Sequence, residues 1–307
     1  MPDPTEFVII ATFITAFGIF ALGATARMLM GTTPEPAYAG EPTVEEGDSP
    51  YQAPASAIGL PPPLPVGRVP VWFYQPLDLL GIGFVFVLFF SMVVASVKSP
   101  DQAELVLDPG GLIASIAFQF ILAGIVTALV IRRVRPIEWL GLKWPGWRWS
   151  FLIAPVTVVV MWLFFGGLQA SGYMRWIESL GVETVQDTVK ILQESNDPVI
   201  LGLMAFAAVI AAPFCEEIIF RGYLYSATKR FAGPTVATVC SALVFAAAHG
   251  SIAALLPLFV FGCVLAFIYE RTGSLWAPIA VHFCFNGATV LIQMTARYYD
   301  LPLEVSP

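Results

Sequence analysis

Long apolar runs separated by short polar connections recur along the whole chain. Phe7 to Ala26 is the first, about 20 apolar or small residues, enough to cross a ~30 Å hydrocarbon layer as a helix. Leu79 to Val97, Gly111 to Ile131 and Phe151 to Gly167 follow as the second, third and fourth. The fifth runs from Val199 to about Ser226 and is unusually long, with Pro213 an expected kink. Thr235 to Ala248, Ile252 to Tyr269 and Leu275 to Met294 complete the series. The pattern predicts an all-α fold, a polytopic helical membrane bundle of about eight transmembrane helices.

The polar stretches divide this bundle. Residues 1–30 read as an N-terminal anchor helix. Ala24-Thr25-Ala26 resembles a signal-peptide cleavage site, but the positively charged region that should precede such a peptide is missing. Residues 31–77 are crowded with Pro, Gly, Ala and acidic side chains, including Pro61-Pro62-Pro63-Leu64-Pro65. That composition buries too little apolar surface to order itself, which predicts a linker of polyproline character. Residues 78–307 form the multi-helix membrane domain.

Orientation follows from basic residues. Arg132, Arg133 and Arg135 come directly after the third span and mark the cytoplasmic side. Counting spans from there puts Lys229-Arg230 and Glu270-Arg271 on that same side and both termini outside. Trp139, Trp144, Trp147 and Trp149 read as an interfacial belt. The loop from Leu168 to Pro198 carries Val182, Val185, Val189 and Leu192 at the spacing of one face of a surface helix, or of a lid.

Composition agrees with the pattern and narrows the partners. Of 307 residues 57% are hydrophobic and only 12% charged, against about a quarter charged in soluble domains. The net charge of −7 implies no nucleic-acid partner. Cys215, Cys240, Cys263 and Cys284 all fall in apolar segments without a CxxC spacing, so they read as buried free thiols.

Against this background a few polar groups stand out. Cys215-Glu216-Glu217-Ile218-Ile219-Phe220-Arg221-Gly222 places two carboxylates and a guanidinium inside the fifth segment. Ionised groups at membrane depth are costly unless paired or facing water, which makes them functional candidates. On a helix Glu217 and Arg221 share one face four residues apart, and Glu216 points about 100° away. The reading is therefore asymmetric: Arg221 neutralises Glu217, and Glu216 is left for chemistry. The two histidines of the chain, His249 and His282, also lie in apolar segments, as Phe245-x-x-x-His249 and His282-x-x-x-Asn286. Helix rise puts Glu216 about 24 Å before the turn at Ala232 and His249 about 25 Å after it. From the turn at Thr272-Gly273, His282 is about 13 Å deep and Asn286 about 20 Å. A carboxylate, two imidazoles and a carboxamide thus fall well inside the hydrocarbon layer, where they need a water-filled cavity.

The ordered motifs Glu-Glu-x-x-x-Arg-Gly, Phe-x-x-x-His and His-x-x-x-Asn resemble those of the CPBP (ABI) family, intramembrane endopeptidases similar to CAAX prenyl protease 2. The resemblance covers a core at about residues 199–295. It implies hydrolysis of a peptide bond in a membrane-associated protein or peptide, with Glu216 as general base on a water that His249 holds. It further implies that His282 and Asn286 hydrogen-bond the oxyanion, while Glu217, Arg221 and Phe245 give structural support. The expected location is the bacterial cytoplasmic (inner) membrane.

No cofactor is favoured. The alternative is zinc held by Glu216, His249 and His282, with a water in the fourth position. Against it, no HExxH is present and asparagine is a poor zinc ligand. A proton-coupled transporter also uses Glu and His inside a bundle, but the internal repeat with paired broken helices that marks many transporters is not visible. A non-catalytic membrane scaffold or bacteriocin-immunity protein is the other alternative that the resemblance carries.

Overall fold

The computed structural model describes residues 4–31, 69, 74, 76, 78–98, 108–131, 136–142, 144–182, 192 and 195–299. Among them there is no strand. The helices are α1 (Pro4–Met30), α2 (Asp78–Lys98), α3 (Pro109–Val130), the short α4 (Pro136–Trp139), α5 (Ser150–Ala170) and α6 (Tyr173–Ser179). After them come the long α7 (Pro198–Ala232), α8 (Pro234–Ala247), α9 (Ile252–Thr272) and α10 (Trp276–Tyr298).

Seven of these are long and apolar enough to cross a membrane, which bears out the helical membrane bundle. The sixth segment has the expected extent to within one residue, but the 14 residues of α8 make only about 21 Å of helix, short of a ~30 Å layer. It ends where it does because Gly250 turns the chain at φ +67°. Ser251 then caps α9, its hydroxyl accepting from Ala254 N at 3.3 Å. Caps and prolines set the other boundaries in the same way. Asp197 Oδ1 accepts from Val199 N at 2.8 Å with Pro198 in the first turn of α7, satisfying amides that a helix start leaves bare.

The helix α1 packs against α8, burying Ile9, Phe13, Ala16 and Phe20, one face at helical spacing. Cys240 lies against Ala16, its Sγ 3.3 Å from the carbonyl oxygen. α8 and α9 pack closely, as do α5 and α10. α5 and α10 both begin at the end of the bundle where the connections 136–142, 229–233 and 270–276 gather. There Leu275 N donates to Leu140 O at 3.0 Å. Gly141 has φ +60°, and a Cβ on it would fall 2.1 Å from Gly273 O, so no other residue fits. Lys229 Nζ reaches both carboxylate oxygens of Glu270 at 2.8 Å and Val69 O at 2.6 Å, and Tyr225 donates to Glu270 at 2.8 Å. The basic connections at Lys229-Arg230 and Glu270-Arg271 therefore share one end of the bundle, as counting spans requires.

Trp139 departs from its expected place in an interfacial belt. It is buried at 1% exposure, donates to the Tyr74 hydroxyl at 3.1 Å, and its carbonyl accepts from Tyr269 at 3.2 Å. Its indole thus serves the core of that end, while Trp147 and Trp149 are exposed. Arg132, Arg133 and Arg135, Val185, Val189 and nearly all of the 31–77 segment lie outside the described residues. Leu192 is buried beside Leu112 and Met204.

Candidate functional site

The helix α7 is not regular. It runs as α-helix to Phe206, as π-helix over Ala207–Ala211, as α-helix over Ala212–Glu216, and as π-helix again over Glu217–Tyr225. In π geometry the amide bonds the carbonyl five residues back, and such turns concentrate at functional sites. The expected kink at Pro213 takes this form, with the proline in the short α-helical stretch between the two wide turns. Glu216 closes that stretch and Glu217 opens the second π segment.

Glu217 and Arg221 are both fully buried and paired, Oε1 to Nη1 at 2.9 Å. Arg221 Nη2 also donates to Gly262 O at 3.1 Å, and its guanidinium lies 4.5 Å from the Phe245 ring centroid. Gly262 lets α8 and α9 lie this close together, since a Cβ there would stand 3.0 Å from Ala242 Cα and Cβ. Glu217 has a second partner on α10. His282 Nδ1 lies 2.9 Å from the same Oε1, inside a buried contact. A carboxylate accepts, so Nδ1 carries the proton in this bond. The far nitrogen, Nε2, is 4.0 Å from Glu216 Oε2. Phe245 and Phe261 stand edge-on to the His282 ring at 5.8 and 5.4 Å between centroids.

Glu216 is placed differently from its neighbour. Its side chain is 22% exposed against 0% for Glu217. Oε2 is nevertheless buried, and it accepts no hydrogen bond from the protein. His249, just beyond the end of α8, is exposed at the chain's own surface. Its Nδ1 lies 2.8 Å from Phe245 O, and its ring is 4.9 Å from that of Phe245. A carbonyl can only accept, so Nδ1 carries hydrogen, and in the neutral ring Nε2 is then the acceptor. One phenyl ring, Phe245, therefore touches both imidazoles and the guanidinium. Asn286, four residues along α10 from His282, donates Nδ2–H to Ala208 O at 2.8 Å.

All seven residues singled out in the sequence are thus described. The structure links Glu217, Arg221, His282 and Phe245 through direct contacts, with Glu216 beside His282, His249 on Phe245, and Asn286 on α7. The zinc alternative meets an obstacle in the same contacts. Among the described residues no three His, Cys, Asp or Glu side chains form a group able to hold a metal ion. An open apolar cavity of about 760 Å³ lies elsewhere, between the starts of α5 and α10. Phe283 and Cys284 line it from the side of α10 away from His282.

Three contacts have no counterpart in the sequence reading: the Glu217–His282 bond, the Gly262 carbonyl on Arg221, and the Ala208 carbonyl on Asn286. Each joins elements 41 to 78 residues apart, and periodicity within a segment carries no signal for such pairs.

Comparison with known proteins addresses the same segment. Residues 198–288 match the family described as Type II CAAX prenyl endopeptidase Rce1-like. That bears out the resemblance drawn from the three motifs, over the stretch that carries them. The chain is 33% identical over 92 residues to "Putative membrane peptidase YdiL" of Bacillus subtilis, covering 30% of this chain and 38% of that protein. It is 33% identical over 100 residues to "Membrane-embedded CAAX protease MroQ" of Staphylococcus aureus, covering 31% of this chain and 40% of that protein. The chain thus spans well under half the length of the curated relatives it matches. No solved structure matches it. With its apolar helices and these membrane relatives, the chain is an integral membrane protein.

Proposed function

We propose that this chain is an intramembrane endopeptidase that hydrolyses a peptide bond in a membrane-associated protein or peptide. The observation that carries the proposal is the division of labour between adjacent carboxylates. Glu217 is fully buried with Oε1 bonded to both Arg221 and His282, whereas Glu216 is partly exposed and stands 4.0 Å from His282 Nε2, outside hydrogen-bond distance. The family match and the names of the two relatives support the same reaction class.

In this reading Glu216 removes one proton from a water, whose oxygen attacks the peptide carbonyl. The other water proton is held by His249 Nε2, the acceptor left once Nδ1 bonds Phe245 O. The tetrahedral oxyanion takes a hydrogen bond from the second N–H of Asn286. His282 donates to it through Nε2 when that nitrogen is protonated, an imidazolium flanked by Glu217 and Glu216. The proton on Glu216 then passes to the leaving amine as the C–N bond breaks. No step of this reading runs through a metal ion. The membrane we assign is the bacterial cytoplasmic (inner) one, a reading that the bacterial sources of both relatives support.

The test is substrate trapping with Glu216→Gln, which keeps shape and removes the base. Membrane proteins captured by this variant and cleaved by wild type support the proposal. A folded Glu216→Gln protein that retains the full biological effect contradicts it and favours the scaffold or immunity alternative.

A further inference from the structure

The hydrogen bond from Asn286 to Ala208 O has a cause in the backbone of α7. A helical carbonyl has two candidate backbone donors, the amide four residues on in α geometry and five residues on in π geometry. For Ala208 these are Ala212 and residue 213. Ala212 N bonds Ala207 O, five residues back, in the π register. Residue 213 is proline and has no N–H. Both candidates are removed, one by register and one by chemistry. The Asn286 amide supplies the missing donor from α10, at 2.8 Å.

We infer that Pro213 is a positioning residue for Asn286: by lacking an N–H it keeps the Ala208 carbonyl open to the asparagine side chain. The bond fixes one of the two N–H groups of the carboxamide and so sets the direction of the other. That remaining N–H is the donor assigned to the oxyanion under the proposed function, on which this inference rests. Any residue with an N–H at 213 returns a backbone donor to Ala208 O. In the π register it is the new N–H itself. In the α register the segment rewinds by one position, and Ala212 takes the carbonyl. Either way Asn286 meets a competitor, and its orientation loosens.

The test separates the missing N–H from the shape of the proline ring. Pro213→Ala introduces the N–H. Lactic acid at position 213, introduced by nonsense suppression, has the same methyl side chain but an ester oxygen where the N–H would be. Turnover is read in proteoliposomes on one cleaved peptide chosen from a randomised, internally quenched pool, with Asn286→Ala as reference. Pro213→Ala is expected to lower kcat about tenfold with little change in KM, the worth of one aligned hydrogen bond. The ester variant is expected to recover turnover close to wild type. Equal losses in the two variants overturn the inference, since ring shape then matters and the N–H does not. Full turnover in Pro213→Ala, with Asn286→Ala inactive, overturns it as well while leaving the proposed function standing. Full turnover in Asn286→Ala removes the proposed role of Asn286 itself, and the inference with it.

Discussion

His282 on α10 lies with Nδ1 2.9 Å from Glu217 Oε1 on α7, the same oxygen that binds Arg221. One buried carboxylate thus holds a guanidinium on its own helix and an imidazole 65 residues away. The second carboxylate of the pair is released from structural duty by its neighbour. The placement of the whole site depends on this chain of contacts, and the predictions test its links.

Arg221→Ala leaves Glu217 buried without its cation. Removal of one partner from a buried ion pair costs about 3–5 kcal/mol. A marked fall in the thermal midpoint of the detergent-solubilised protein is expected, along with loss of cleavage. Exchange of the two residues, Glu217→Arg with Arg221→Glu, is expected to be milder in stability, because both charges remain paired. A melting curve for Arg221→Ala equal to wild type contradicts the structural role.

Gly262→Ala puts a methyl group 3.0 Å from Ala242. Either α8 or α9 must shift, at a cost of roughly 1–3 kcal/mol. The shift draws the Gly262 carbonyl off Arg221, so cleavage should fall alongside stability. Thermal melts and turnover of Gly262→Ala measured together check this; unchanged values in both contradict the close-packing argument.

Orientation is testable by cysteine labelling in a background lacking the native thiols. Gly141 sits in the expected cytoplasmic connection, but its φ of +60° and the 2.1 Å approach to Gly273 O forbid a side chain there. Pro145→Cys, exposed on the same connection, serves instead, and Ser171→Cys marks the opposite end of α5. Position 145 should be protected from impermeant reagent in intact cells and position 171 labelled. The reverse pattern contradicts the orientation read from the arginine cluster.

Metal dependence has its own measurement. Exhaustive chelation should leave turnover unchanged, and elemental analysis of the active protein should show no stoichiometric zinc. Zinc that tracks activity and disappears in either His249→Ala or His282→Ala contradicts the reading and restores the three-ligand alternative.

Much of the architecture was legible in the sequence, because a bilayer forces long apolar helices to satisfy their own backbones. The span boundaries fall within a few residues of those read from hydropathy, and the i, i+4 spacing of Glu217 and Arg221 is realised as an ion pair. Hydropathy placed α8 within one residue, yet its 14 residues make a shorter apolar helix than the full span they were counted as. It misplaced Trp139, whose indole partner, Tyr74, lies in a different part of the chain. The π turns of α7 were hidden for a related reason. Pro213 announces a disturbed helix but not its register.

Turnover of purified Glu216→Gln beside wild type, in proteoliposomes with the same cleavable peptide, tests the catalytic role of Glu216. A fall of roughly 10²-fold or more is expected, with an unchanged thermal midpoint because Glu216 takes no part in the Arg221–Glu217–His282 chain. A Glu216→Gln protein that cleaves at the wild-type rate would contradict it.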